Sequence, residues 1–366
     1  MSAPVVPPVG DRSVSAPVVP PPVDFGRRGY VVRARRVAAS ARLDRRAIVI
    51  VAALIVVLLV VSVATLAIGT YQLTVGEVVS ALFGQGESRV RLIVVEWRLP
   101  RLLLAIGCGI ALAISGAIFQ SITRNPLGSP DVIGLDAGAY TGALVVMLVI
   151  GSGSYSLIAA GSVIGGLATA AVVYLLAYRG GVEGFRLIIV GIGVGALLAS
   201  FNTYFLLIVD VNQAIVAASW GAGSLNALGW DQLGPFSLVL LALLPFVVAL
   251  APGLSQGELG DDAAQALGSN VERTRLFSTI VAVALTALVT AAAGPISFIA
   301  LVAPQLAKRM TGLPGLGLVA SAAVGATLLA TADFIAQRIA LPVGLVTVSA
   351  GGCYLIWLLV REYRRS

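Results

Sequence analysis

The 366-residue chain has no histidine, one lysine (Lys308), two cysteines and only 11% charged residues. Without histidine, imidazole acid–base catalysis, histidine metal sites and histidine haem ligation are excluded. Cys108 and Cys353 are far apart in apolar stretches and read as two buried, inert thiols. The lone lysine follows Ala307, so no Gly-Lys-Ser/Thr phosphate loop exists. Paired catalytic carboxylates and nucleophile–base arrangements are likewise missing, and the chain reads as a non-enzyme. What it has in excess is apolar: 58% hydrophobic residues, 41 glycines and a mean hydropathy of +0.99. Soluble domains carry about 25% charge, so this is a membrane protein.

A span needs roughly 20 apolar residues to cross ~30 Å of hydrocarbon. Charge-free runs cover 47–76, 102–123, 137–178, 187–209, 232–257, 276–307, 310–332 and 339–360. The third is broken near Gly151-Ser152-Gly153-Ser154 and reads as two spans; the 276–307 run is interrupted at Gly294-Pro295, so the total is nine or ten. The positive-inside rule decides. Arginines crowd the chain before the first span (Arg27 to Arg46) and after the last (Arg361, Arg364, Arg365), so both ends are expected in the cytoplasm and the number must be even. The expected fold is an all-α polytopic membrane protein with ten transmembrane helices, leaving Arg89, Arg91, Arg98, Arg101 and Arg338 outside. The net charge of +7 is thereby topological and implies no nucleic-acid partner.

Residues 2–8, Ser-Ala-Pro-Val-Val-Pro-Pro, recur at 15–21. Such a repeat favours solvated, extended backbone, and 1–45 is expected to be a disordered Pro- and Arg-rich cytoplasmic tail. A ten-helix domain over 46–361 and a short cytoplasmic end at 362–366 complete the chain. Glycines at 134, 138 and 142, and at 191, 193 and 195, read as helix-packing surfaces. Asp131 and Asp136 are expected at the cytoplasmic start of the third span, and Asp333 beside Arg338 as an interfacial pair. With no charge at the centre of a span, an ion-coupled carrier is disfavoured, and the energy must come from another protein.

Three segments point to partners. Ser115–Asp131 carries a span into Thr123-Arg124-Asn125-Pro126-Leu127, where Asn-Pro stops the helix. In the segment 257–275, Asp261 starts and Gly268 ends a helix too short to stand alone in water; a docking element and an ordinary structured loop are both open readings. Arg98-Leu99-Pro100-Arg101 holds two arginines near a proline, suited either to gripping carboxylates of an external protein or to anchoring a helix end.

Together these segments resemble the permease family of binding-protein-dependent ABC importers for ferric siderophores, haem and cobalamin, from about Arg46 to Arg361. Arg98–Arg101, Ser115–Gly134, Leu259–Gly268, Gly294–Ile299 with Val302-Ala303-Pro304, and Leu341–Gly344 carry the likeness. It implies a type II ABC importer permease architecture in the bacterial cytoplasmic membrane. The implied partners are membrane lipid, two cytoplasmic ATPases that use ATP and Mg, an extracytoplasmic substrate-binding protein, and a second permease, either a sister chain or another copy. No cofactor or metal is implied for the chain itself. The likeness assigns ATPase coupling to Asp261, Asp262, Ala263, Ala264, Gln265, Ala266, Leu267 and Gly268, and binding-protein docking to Arg98 and Arg101. Arg338 is added to the docking set, although Gln337 occupies the closest match to the family's further contact arginine. Asn202, Thr203 and Tyr204 are candidates for the translocation pathway. Gln305 stands where the family usually has histidine after Pro304. The expected cargo is a ferric siderophore, with cobalamin or haem as the alternative and an ion-coupled secondary transporter behind them.

Overall fold

The computed structural model describes residues 29–34, 39–178, 184–313 and 315–363. The chain divides into two units, Met1–Arg45 and Arg46–Ser366. In the first, Gly29–Ala34 pairs antiparallel with Ala39–Asp44, Gly29 opposite Asp44. Within the segment 1–45, expected to be a disordered tail, residues 29–34 and 39–44 are thus paired strands. Tyr30-Val31-Val32 suits a strand, and the last proline of the tail, Pro22, precedes the strand, so no missing N–H interrupts its ladder. The repeats at 2–8 and 15–21 lie outside the described residues.

The second unit is built from helices. Among the described residues ten spans follow, 1 (Arg45–Ala67), 2 (Ser88–Thr123), 3 (Leu135–Val149), 4 (Tyr155–Ala177), 5 (Gly184–Ile208), 6 (Trp230–Gly257), 7 (Val271–Ala293), 8 (Ile299–Thr311), 9 (Leu318–Ile339) and 10 (Val343–Tyr363). Seven are long and apolar enough to cross a membrane; spans 3 and 10 carry shorter apolar stretches, and span 8 has 13 residues. Thirteen residues rise only about 20 Å. Beside these short spans the chain is non-helical at 128–134 and 294–298, where it is buried or half-buried, and irregular backbone is tolerated at membrane depth only where protein surrounds it. Gly294 turns the chain with φ 73°, dividing the 276–307 run where Gly294-Pro295 marked it.

Spans 2 and 7 form the centre. Span 2 packs on spans 6, 7, 8 and 9, and span 7 on 2, 3, 4 and 6. Their apolar windows are 83% and 72% buried, against 0% for span 1 and 11% for span 5. Close backbone approach makes this possible: Gly109 of span 2 meets Gly325 of span 9, where any Cβ would strike the facing carbonyl. Gly138 and Gly142 of span 3 likewise meet Gly161 and Gly165 of span 4, as the four-residue spacing implies. Gly191 and Gly195 pack on Ile133 and Gly134, whereas Gly193 faces open space. Cys108 is buried, but Cys353 is exposed, against expectation. On a membrane helix an apolar neighbourhood is no guide to burial, because the outward face is apolar too.

Two helices between spans were not expected. Thr74 caps Val75–Leu82 through a reciprocal bond with Glu77, and Val211–Gly221 lies between spans 5 and 6.

Candidate functional site

Polar side chains gather at three levels of the bundle. At one end, spans 1, 2 and 9 converge. Arg98 donates from Nη1 to Leu66 O and from Nη2 to Tyr71 O, both at 2.6 Å. These are carbonyls at or beyond the C-terminus of span 1, where a helix leaves its acceptors unpaired and its dipole favours a cation. Arg338 donates to Phe334 O of its own helix and to Ile68 O at 3.4 Å, and the Arg89 guanidinium sits 5.3 Å over the Tyr71 ring. Three arginines from three places in the sequence thus surround the 66–71 turn.

Arg101 does something else. Its Nη2 donates to Asp333 Oδ1 at 2.7 Å and its Nε to Asp333 Oδ2 at 3.0 Å. Gln337 Nε2 also donates to Asp333 Oδ2, at 2.7 Å. The Asp333 side chain is 1% exposed and that of Arg101 17%. The expected Asp333–Arg338 pair is therefore replaced by a forked ion pair between spans 2 and 9. Arg338 lies one position beyond Gln337, about 100° round the helix, and points to the 66–71 turn instead. Of the three arginines expected to dock a binding protein, Arg98 and Arg338 both reach the 66–71 turn and Arg101 is paired with Asp333.

The middle level corrects a second expectation. Ile133 and Gly134 pack against Gly191 and Gly195, up to eleven residues into span 5 and about 16 Å from its start at Gly184. Asp131 and Asp136 therefore lie at depth, beside the break before span 8, and not at a membrane surface. The Phe298 N–H donates to Asp131 Oδ2 at 3.0 Å, and the Ser297 hydroxyl reaches Asp136 Oδ2 at 3.5 Å. Asp131 thus caps the N-terminus of span 8, where helix dipole and free N–H groups favour a carboxylate. Its Oδ1 is buried without a hydrogen bond. Sequence spacing located the start of span 3 to within two residues, at Leu135, but does not reveal that the chain runs non-helical through 128–134 before it.

Gln305 stitches the same wall. Its Nε2 donates to Gln120 Oε1 at 2.9 Å and to Pro126 O at 3.2 Å, while Gln120 Nε2 donates to Leu301 O at 3.0 Å. The position needs a hydrogen-bond donor, which an amide supplies without titrating. Among the pathway candidates, Asn202 is buried against span 3, donating to Ala137 O and accepting from Thr141 Oγ1. Thr203 bonds Ala199 O in its own helix, and Tyr204 is exposed.

At the opposite end, the expected short helix forms as Asp261–Ala266. Gly260 precedes it and Gly268 follows at φ 85°. Its Ala264 is fully buried, and Asp262, Ala263, Gln265, Ala266, Leu267 and Gly268 are exposed. Asp261 turns inward to two arginines: Arg275 Nη2 at 2.8 and 3.0 Å, and Arg124 Nη2. Asn270 then caps span 7 by accepting from Arg273 N–H at 3.0 Å.

The FecCD transport family model matches residues 54–361. The ferric enterobactin transport system permease protein FepG of Escherichia coli (strain K12) is 48% identical over 302 residues, 81% of this chain and 91% of that protein. The iron(3+)-hydroxamate import system permease protein FhuG of Bacillus subtilis (strain 168) is 34% identical over 310 residues, 81% of this chain and 92% of that protein. A solved structure described as an inward-facing conformation of a metal-chelate type ABC transporter superposes with a TM-score of 0.75 at 26% identity, covering 86% of this chain and 99% of that one. The chain belongs to the FecCD transport family and is a multi-pass permease subunit of an ABC transporter.

Proposed function

We propose that this chain forms half of the conduit through which a ferric siderophore enters a bacterial cell by alternating access, driven by ATP and Mg used on a separate ATPase. The arginine distribution orients it: both termini and the Asp261 end face the cytoplasm, and the Arg98 end faces outward. One of two ATPases docks on the exposed face of the Asp261–Gly268 segment, an external binding protein docks at Arg98 and Arg338, and a second permease, which takes the other ATPase, completes the pathway. The exposed Tyr204 faces that route; Asn202, turned into span 3, acts through packing.

The observation that carries the coupling role is the short helix itself. It stands between spans 6 and 7 with one face anchored and the other exposed, the arrangement needed by an element that fits a groove on another protein. The cargo class rests on the likeness to FepG and FhuG, whose names specify ferric enterobactin and iron(3+)-hydroxamate.

Uptake of labelled ferric chelates, cobalamin and haem by a deletion strain tests the cargo: loss confined to ferric chelates is expected, and loss confined to cobalamin or haem refutes it. Replacing residues 262–268 by a flexible linker is expected to abolish ATPase capture while membrane insertion persists. Arg98→Glu with Arg338→Glu is expected to weaken binding-protein capture, most at low ionic strength. The carboxylates at depth, Asp131 and Asp136, are the feature that favours a second reading, an ion-coupled carrier. Purified permease alone in liposomes separates the two: concentrating cargo under an imposed proton or sodium gradient supports the carrier.

A further inference from the structure

The short helix Asp261–Ala266 packs on the bundle by one side only. Six residues are too few for a stable helix in water, so its direction must come from what it touches. Two positions three apart share its inner side: Ala264, which is fully buried, and Asp261. The Asp261 carboxylate bridges two guanidinium groups. Arg275, in the first turns of span 7, donates to both oxygens at 2.8 and 3.0 Å. Arg124, the residue closing span 2, donates to Oδ1 and also to Gly257 O at 2.7 and 3.0 Å. Arg124 reaches this place through a left-handed backbone, φ 48°, a conformation unusual for a residue with a Cβ. The two helices so joined are the two central spans of the bundle.

We propose that Asp261 is a positioning residue for energy coupling: it clasps the short helix to the ends of spans 2 and 7, and the partner ATPase contacts the opposite face. This rests on the coupling reading above and refines it, because Asp261 then belongs to the linkage and not to the docking surface. Displacement of the exposed face, with Leu259 and Leu267 projecting at its two ends, is delivered to the core helices through the carboxylate and not through the glycine turns at Gly260 and Gly268. The clasp is partly open to water, with the Asp261 side chain 38% exposed. Exposed pairs add little to stability, so the fold survives the loss of this one while the direction of the helix does not.

The experiment uses proteoliposomes holding the complete importer and reads chelate moved per ATP hydrolysed, alongside ATPase capture by the permease. Asp261→Asn is expected to leave capture intact and lower transport per ATP roughly fivefold or more, the low end of ordinary site-to-site couplings. Asp261→Glu restores it, Arg124→Gln reproduces the defect, and Asp261→Asn with Arg124→Gln is no worse than either alone, as for groups acting as one unit. Unchanged transport per ATP in Asp261→Asn overturns the proposal, and so does capture that falls in parallel with transport, which would place Asp261 on the docking face. If both neutralising variants fail to fold, the clasp is structural and the proposal is wrong. Failure of the coupling reading is seen separately, as ATPase capture that survives the 262–268 linker.

Discussion

The Arg101–Asp333 pair gives the sharpest quantitative test. Arg101→Leu removes the guanidinium and leaves the Asp333 carboxylate, 1% exposed, with the Gln337 amide still donating to it. Removing one member of a buried ion pair costs about 3–5 kcal/mol, because the other charge stays buried without compensation. Asp333→Leu leaves Arg101 instead, whose side chain is already 17% exposed. A long stem lets such a head group move toward water, and the cost falls to about 1–3 kcal/mol, that of unsatisfied donors. Arg101→Leu with Asp333→Leu buries two apolar side chains against each other and is expected to be less damaging than Arg101→Leu alone. Reversible unfolding of the purified permease in mixed micelles measures all four corners of this cycle. A cost under about 1 kcal/mol for Arg101→Leu, or a double variant worse than the single, would show that the pair does not hold spans 2 and 9 together.

Gln305→Ala is expected to cost about 1–3 kcal/mol in the same assay, since it strips the donor from buried Gln120 Oε1, and Gln305→His is expected to recover part of it. Gly109→Leu is expected to prevent accumulation of folded protein, because a side chain there meets the backbone of Gly325; normal yield in the membrane argues against that close approach. For Asp261, burial opposes ionisation, but the hydrogen bond from Arg124 and the charges of Arg275 and Arg124 outweigh it and hold the carboxyl below its usual range. A depressed value means that the clasp contributes fully above about pH 3.9, the unfolded carboxyl value, and is lost as pH falls through the folded one. Isotope-edited infrared titration of Asp261 should find it ionised throughout pH 5–8, and a midpoint within that window contradicts the two-arginine arrangement.

The ten spans, the break at Gly294-Pro295, the glycine stripe at 138 and 142, and the short helix starting at Asp261 were all legible in one dimension. Each is local: a run of apolar residues, a helix-stopping pair, a spacing or a cap announces itself within a few residues. The capping box at Thr74 and Glu77 was equally local and was available as a Thr-x-x-Glu signal.

What the tertiary structure alone decided was the partner of each charge. Arg98 and Arg101 are three apart and look equivalent, yet one closes the end of span 1 and the other is forked onto a carboxylate 232 residues away. Asp131 sits close to the end of a charge-free run, yet lies at depth because the chain enters the bundle before it becomes helical. Asp261 reads as a helix cap but is held by Arg124 and Arg275. Hydrophobicity acts along the chain and so fixes how often it crosses the membrane; hydrogen bonds and ion pairs act over about 3 Å, and which groups come that close is settled only when the helices pack.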